Sequence, residues 1–304
     1  MMSGKQVSRR AATEKQPPEP LGLIAGWGRF PVLVAEALVA GGHEVHCVGI
    51  SGHADPVLKT ICHSYKSAGF ARPGSHIRFF KRHGVQKATM AGKIFKTRLF
   101  EKLTWVKNIP DLTFLGQFYP VLLSRNNDRR DDTLLGMVTD MFAKRGITFI
   151  PATDYAPELL VTEGILTRVR PTDAQMKDIE FGWAMAKHMG GLDVGQSVVV
   201  KTGAVLAVEA IEGTDECIRR AGALCKAGGF TVVKVAKPDQ DMRFDVPTIG
   251  TGTIETIYKA GGRVLAIEAD RTILLDGDQT IEAANKLGIA IVATSHSNCT
   301  SAAA

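Results

Sequence analysis

Long apolar runs are missing from this chain of 304 residues. None reaches the roughly 18–20 residues that a membrane-spanning helix needs, which excludes a helical membrane protein. Cysteine is scarce, and the five present (Cys47, Cys62, Cys217, Cys225 and Cys299) form no Cys-x-x-Cys pair. That excludes a zinc ribbon or a disulfide framework and reads as a reduced protein whose thiols mostly serve as small buried hydrophobes. Aromatic residues make up only 7% of the chain, without an RNA-binding signature, so nucleic acid is not among the expected partners. Six of the eight histidines are scattered through the first half, none at metal-ligand spacing. A P-loop, a clean Gly-x-Gly-x-x-Gly fingerprint and a Gly-x-Ser-x-Gly elbow are absent too.

What is there is globular: 45% hydrophobic and 22% charged residues, with 31 glycines, over a length that suits two domains. The net charge of +6 hides an asymmetry. Residues 1–150 hold 22 Lys and Arg against 11 Asp and Glu, whereas residues 151–304 hold 15 against 20. A basic first half suits anionic ligands; an acidic second half suits cations. Unselected drift of surface charge explains the same numbers.

Residues 1–19 are polar, basic and proline-ending, and read as a disordered leader. Residues 20–150 read as an N-terminal Rossmann-like α/β domain. "LGLIAG" is a strand, "PVLVAEALVAGG" a helix and "HEVHCVGI" a second strand, the βαβ opening of a parallel sheet. Residues 151–304 read as a mixed α/β catalytic domain. "QSVVVKTGAVLAVEAI" is a hairpin turning at Thr202-Gly203, and helix–strand alternation follows it.

Four stretches carry candidate chemistry. "GLIAGWGRFP" places Gly26, Gly28 and Arg29 after a strand, and "AGKIFK" does the same for Lys93 and Lys96. Glycine lets backbone approach a phosphate, and open α/β sheets bind ligands beyond the carboxyl ends of their strands. A tight structural turn is the competing reading. "RRDDTLL" sets Asp131 and Asp132 at a helix start, as caps or as ligand contacts. "VEAIEGTDECIRR" holds Glu209, Glu212, Gly213, Thr214 and Asp215. Strand alternation would put Glu209 and Ile211 on one face and Glu212 on the other, and a glutamate in so apolar a run needs a partner. "AKPDQDMRFDVPTIG" packs Asp239, Asp241 and Asp245 beside Lys237 and Arg243. In extended chain Asp239, Asp241, Arg243 and Asp245 would line one side, a set suited to Mg²⁺ with Arg243 and Lys237 on phosphate. A solvated loop is the plain alternative.

Together "GLIAGWGRFP", "MAGKI", "DDTLL", "EGILTRVRPT", "DVGQSVVVKTGAVLAVEAIEGTDECIRRAG", "VVKVAKPDQDMRFDVPTIG" and "IEA" resemble one family across residues 20–293. It is the UDP-2,3-diacylglucosamine pyrophosphatase family of lipid A biosynthesis, in the form that is not a calcineurin-like metallophosphoesterase. The chain departs from the family pattern at Arg130, before "DD", and at Phe95-Lys96-Thr97. The resemblance implies a ligand cleft between two domains and Mg²⁺-assisted cleavage of a lipid-linked UDP-sugar to UMP and an acylated sugar 1-phosphate. It places the essential aspartate at Asp241 or Asp245, both also metal-ligand candidates; the residues themselves offer Lys237 and Arg243 as catalytic partners on phosphate. Gly26, Gly28, Arg29, Lys93, Asp132, Gln196, Glu209, Glu212, Gly213, Thr214, Asp215 and Thr248 become the substrate-binding candidates. It further implies a cytoplasmic enzyme held peripherally at the inner-membrane surface, and it leaves self-association open. A nucleotide- or lipid-binding regulator without catalysis, and a dinucleotide-dependent oxidoreductase, are the rival readings.

Overall fold

The computed structural model describes residues 19–93, 111, 113–114, 131–243 and 245–295, with only the backbone of residues 131–134. Most of the leader, Phe95-Lys96-Thr97 and Arg130 lie outside the described residues, as do the side chains of Asp131 and Asp132.

The chain opens as the βαβ unit its pattern predicts: β1 (Pro20–Ala25), α1 (Phe30–Ala40) and β2 (Glu44–Ile50), with β1 and β2 parallel. Pro31 suits the first turn of α1 because its missing N–H would go unbonded there anyway. Next come α2 (Leu58–Ile61), β3 (Ser64–Ala68), α3 (Pro73–Arg82), β4 (Lys87–Ala91), α4 (Asp131–Ala143) and β5 (Thr148–Phe149). The five strands form one parallel sheet in the order β3-β2-β1-β4-β5. Successive residues of β1 point to opposite faces. Leu21, Leu23 and Ala25 pack on Val34 and Leu38 of α1, while Ile24 packs with Phe80 of α3 and Met141 and Phe142 of α4. Both faces of the sheet are therefore covered, as parallel sheets require.

The remaining elements are β6 (Gly164–Ile165), α5 (Asp173–Gly191), β7 (Ser197–Lys201), β8 (Ala204–Val208), α6 (Thr214–Leu224), β9 (Thr231–Lys234) and β10 (Thr248–Ile249). After them come α7 (Thr251–Ala260), β11 (Val264–Glu268), β12 (Ile273–Leu274), α8 (Gly277–Leu287) and β13 (Ala290–Thr294). Six of these strands build a mixed sheet in the order β6-β13-β11-β9-β7-β8, and β10 and β12 form a separate parallel pair. Strands β9, β11 and β13 are parallel, and β7 runs antiparallel to both β9 and β8. The β7–β8 turn has positive φ at Thr202 and Gly203, and their N–H groups donate to Asp178 of α5 at 2.9 and 2.8 Å. That buried carboxylate holds the hairpin in the conformation its strands need. On one face α5 packs Ile179 and Trp183 against Val198, Val233 and Ala266; on the other Ile218, Phe230, Ile254 and Ala284 pack with Val232, Leu265 and Ile291. Of the cysteines, Cys47, Cys62 and Cys217 are buried and Cys225 partly so, all as free thiols.

Candidate active site

The parallel strands of the second sheet end at Lys234, Glu268 and Thr294. The antiparallel strand β7 begins at the same edge, because Ser197 pairs with Lys234. Open α/β sheets gather ligand-binding side chains at this edge. Lys234 is 8% exposed, and its Nζ donates to Thr214 Oγ1 at 3.1 Å and to the Thr248 carbonyl at 3.4 Å. Thr214 opens α6, where Gly213 takes the positive φ of 84° that starts the helix, and its hydroxyl donates to Glu209 Oε1 at 2.9 Å. A threonine hydroxyl has one proton, so Ser197 Oγ, 3.3 Å away, is the donor in its contact with Thr214. Glu209 is 8% exposed, and its Oε2 is buried without a hydrogen-bond partner, as is Gln196 Oε1. Burial pushes the Lys234 pKa below the ordinary lysine value; Glu209, Asp215 and Asp245 oppose that fall and Lys93 adds to it.

The strand reading of residues 209–212 needs correction. β8 ends at Val208, so Glu209 turns into the site while Ile211 stands fully in solvent. Glu212 faces the other way, bonded by Arg220 at 2.5 Å. The reading of residues 239–245 as extended chain also fails. Gln240 Oε1 accepts from the Lys237 N–H at 2.8 Å, and Gln240 Nε2 donates to Asp245 Oδ2 at 2.7 Å, folding the segment into turns. Local side-chain bonds of this kind compete successfully with an extended backbone. Asp241 takes both its oxygens to Arg243, at 2.5–3.0 Å, and that bond first, despite burial, holds its pKa below the usual carboxylate value. Lys237 pairs with Asp193 at 2.5 Å.

Three links join this edge to the first sheet. The order of that sheet reverses between β1 and β4, and the two loops at the reversal carry Gly26, Gly28, Arg29 and Lys93. Trp27 and Lys93 exchange backbone hydrogen bonds at 2.8 and 2.9 Å, and a Cβ on Gly26 would stand 2.7 Å from the Lys93 carbonyl oxygen. From these loops Lys93 acts on the Lys234 charge, and Arg29 Nε donates to both oxygens of Asp276, before α8, at 3.1 and 3.2 Å. Arg243 in turn feels the charge of Asp140 on α4. Lys234, Glu209, Thr214, Asp215, Thr248 and Asp245 thus come together, with Arg29 and Lys93 facing the same edge. Lys234, Ser197 and Asp276 were not singled out from sequence; only a lysine ending a valine-rich strand signalled the first.

Two α/β lobes whose strand ends meet across lysines, arginines and carboxylates place a charged candidate site at the carboxyl ends of both sheets. Residues 20–159 match the family model described as the LpxI N-terminal domain, and residues 162–292 match the LpxI C-terminal domain. The chain is 32% identical over 282 residues to the UDP-2,3-diacylglucosamine pyrophosphatase LpxI of Caulobacter vibrioides, covering 90% of this chain and 96% of that one. The chain belongs to the LpxI family.

Proposed function

We propose that the protein hydrolyses the pyrophosphate of UDP-2,3-diacylglucosamine to UMP and 2,3-diacylglucosamine 1-phosphate (lipid X), a step of lipid A biosynthesis. The name of the Caulobacter relative supports the substrate. The observation that carries the reading is the buried Lys234 amine among Glu209, Thr214 and Thr248, facing the glycine-bearing loops of the other lobe. Water adds to one phosphorus, the P–O–P bond breaks, and the bridging oxygen leaves with the other phosphate. Arg29, Lys93 and Lys234 supply positive charge for the anhydride oxygens. Gly26 and Gly28 leave room for the ligand beside the backbone.

The donors suit Mg²⁺ in a sparse mode. Among the described residues no three His, Cys, Asp or Glu side chains gather to cage an ion. Magnesium needs only one or two carboxylates plus substrate oxygens. Asp245 keeps one oxygen beyond its bond from Gln240, and Asp241 would share its carboxylate with Arg243. A bound magnesium would polarise a phosphoryl oxygen and acidify water.

The reading includes a cytoplasmic enzyme lying peripherally at the inner membrane, since two acyl chains anchor the substrate in a bilayer. The test is release of UMP from UDP-2,3-diacylglucosamine by pure protein, with magnesium and with chelator. Turnover abolished by chelator supports the whole reading; turnover that survives it removes magnesium; binding without UMP removes the enzyme and leaves a regulator.

A further inference from the structure

We propose that Lys234 is a catalytic residue, its ammonium contacting the pyrophosphate and stabilising the charge that builds on phosphoryl oxygen as the anhydride breaks. The inference rests on the hydrolase reading above.

Two lysines stand at the same sheet edge, and their contrast carries the argument. Lys187 Nζ meets Glu268 directly at 2.7 and 2.8 Å and donates to the Ala236 carbonyl at 2.9 Å. Its charge and donors are consumed by the fold. Lys234 is more deeply buried, yet its two hydrogen bonds go to neutral oxygens, the Thr214 hydroxyl and the Thr248 carbonyl. Lysine is seldom buried without a charged partner, and an ammonium carries three donors, so these two acceptors leave one over. The nearest linkage to a carboxylate passes through Thr214 to Glu209, whose other oxygen is also unmatched. A fold that closes an ion pair at Lys187 has left both an ammonium donor and a carboxylate oxygen unmatched around Lys234. Such a pair is costly unless a ligand completes it.

The position fits the chemistry. Lys234 ends a central parallel strand, where ligands bind, beside the N-terminus of α6, and Lys93 of the other lobe acts on its charge. Its third donor has a phosphoryl oxygen to meet only when substrate enters.

The purely structural reading makes Lys234 a clamp tying Thr214 to Thr248. Kinetics and melting together separate the two. Lys234→Met fills the same volume without charge, and Lys234→Gln serves beside it should the first not fold. In the UMP-release assay kcat should fall about 10²–10³-fold, the usual loss of a transition-state charge partner, with KM changed by less than about tenfold. The melting temperature should fall, because Glu209 keeps a buried carboxylate without the lysine's charge, but the protein that stays folded should still lose its turnover. A wild type that releases no UMP overturns the activity and this inference with it. A wild type that turns over beside a folded variant with kcat within threefold overturns the inference alone. So does a variant whose lost turnover matches its lost folded fraction.

Discussion

Replacing Glu268 by alanine should unsettle the second lobe more than any surface change of similar size. Glu268 closes β11 and is 6% exposed. Its carboxylate accepts from Lys187 Nζ at 2.7 and 2.8 Å and from the Ala236 N–H at 2.7 Å. Removing one member of a buried pair leaves the other charge uncompensated, at about 3–5 kcal/mol. At about 2–4 °C of melting temperature per kcal/mol for a lobe of this size, the fall is roughly 6–20 °C. Lys187→Met together with Glu268→Ala should recover part of it. The stranded ammonium is then gone, and the Ala236 N–H is the main loss, about 1–3 kcal/mol. Ala236 lies two residues beyond Lys234, so the single variant should also turn over more slowly without touching substrate. Scanning calorimetry of the wild type, the single and the double variant decides it. A single variant within about 3 °C of wild type, or a double variant less stable than the single, would refute the reasoning.

Gly26→Ala should weaken substrate binding and lower the melting temperature. The new methyl stands 2.7 Å from the Lys93 carbonyl and must part the two ligand-facing loops, a strain of about 1–3 kcal/mol, read as a raised KM and an earlier melt. Asp241→Asn should flatten the acid limb of stability. The folded pKa of Asp241 is held down by Arg243, so its contribution is full above the unfolded value of about 3.9 and disappears as pH falls through the lower folded value. Thermal melts of wild type and variant should diverge above that window and converge below it. Leu192, Val194 and Ile211 are exposed on two loops that meet where Gly195 abuts the Glu209 carbonyl. Changing all three to serine should reduce sedimentation with anionic lipid vesicles while leaving the melt unchanged, and equal sedimentation would remove this face from the membrane reading.

Much of the fold was legible because local signals agreed. Helix α5 is legible in "DAQMKDIEFGWAMAKHMGG", since Thr172 and Gln175 form a capping box at one end and glycines close the other. The Thr202-Gly203 hairpin was equally plain. Strand β3, "SYKSA", escaped because polar residues supply no alternation, and α8 passed without notice in a mixed segment. At the site, Glu209 was legible as a residue that needs a partner, and Thr214 as a candidate beside it. The partnership of Arg29 with Asp276, 247 residues away, depends on how the lobes approach, which no local pattern encodes. The aspartate-rich segment misled because alternation implies an extended face only when side chains do not bond their own backbone, and Gln240 and Asp241 do.

That bond from Arg29 to Asp276 has a consequence for traffic through the cleft. The guanidinium also reaches Glu36, so it is already engaged before any phosphate arrives. An anion arriving there would meet a guanidinium whose charge is already shared with two carboxylates and would compete with them for it. If Arg29 meets phosphate, capture would be an exchange in which Asp276 competes for the same guanidinium, and binding would be weaker than a bare arginine would give.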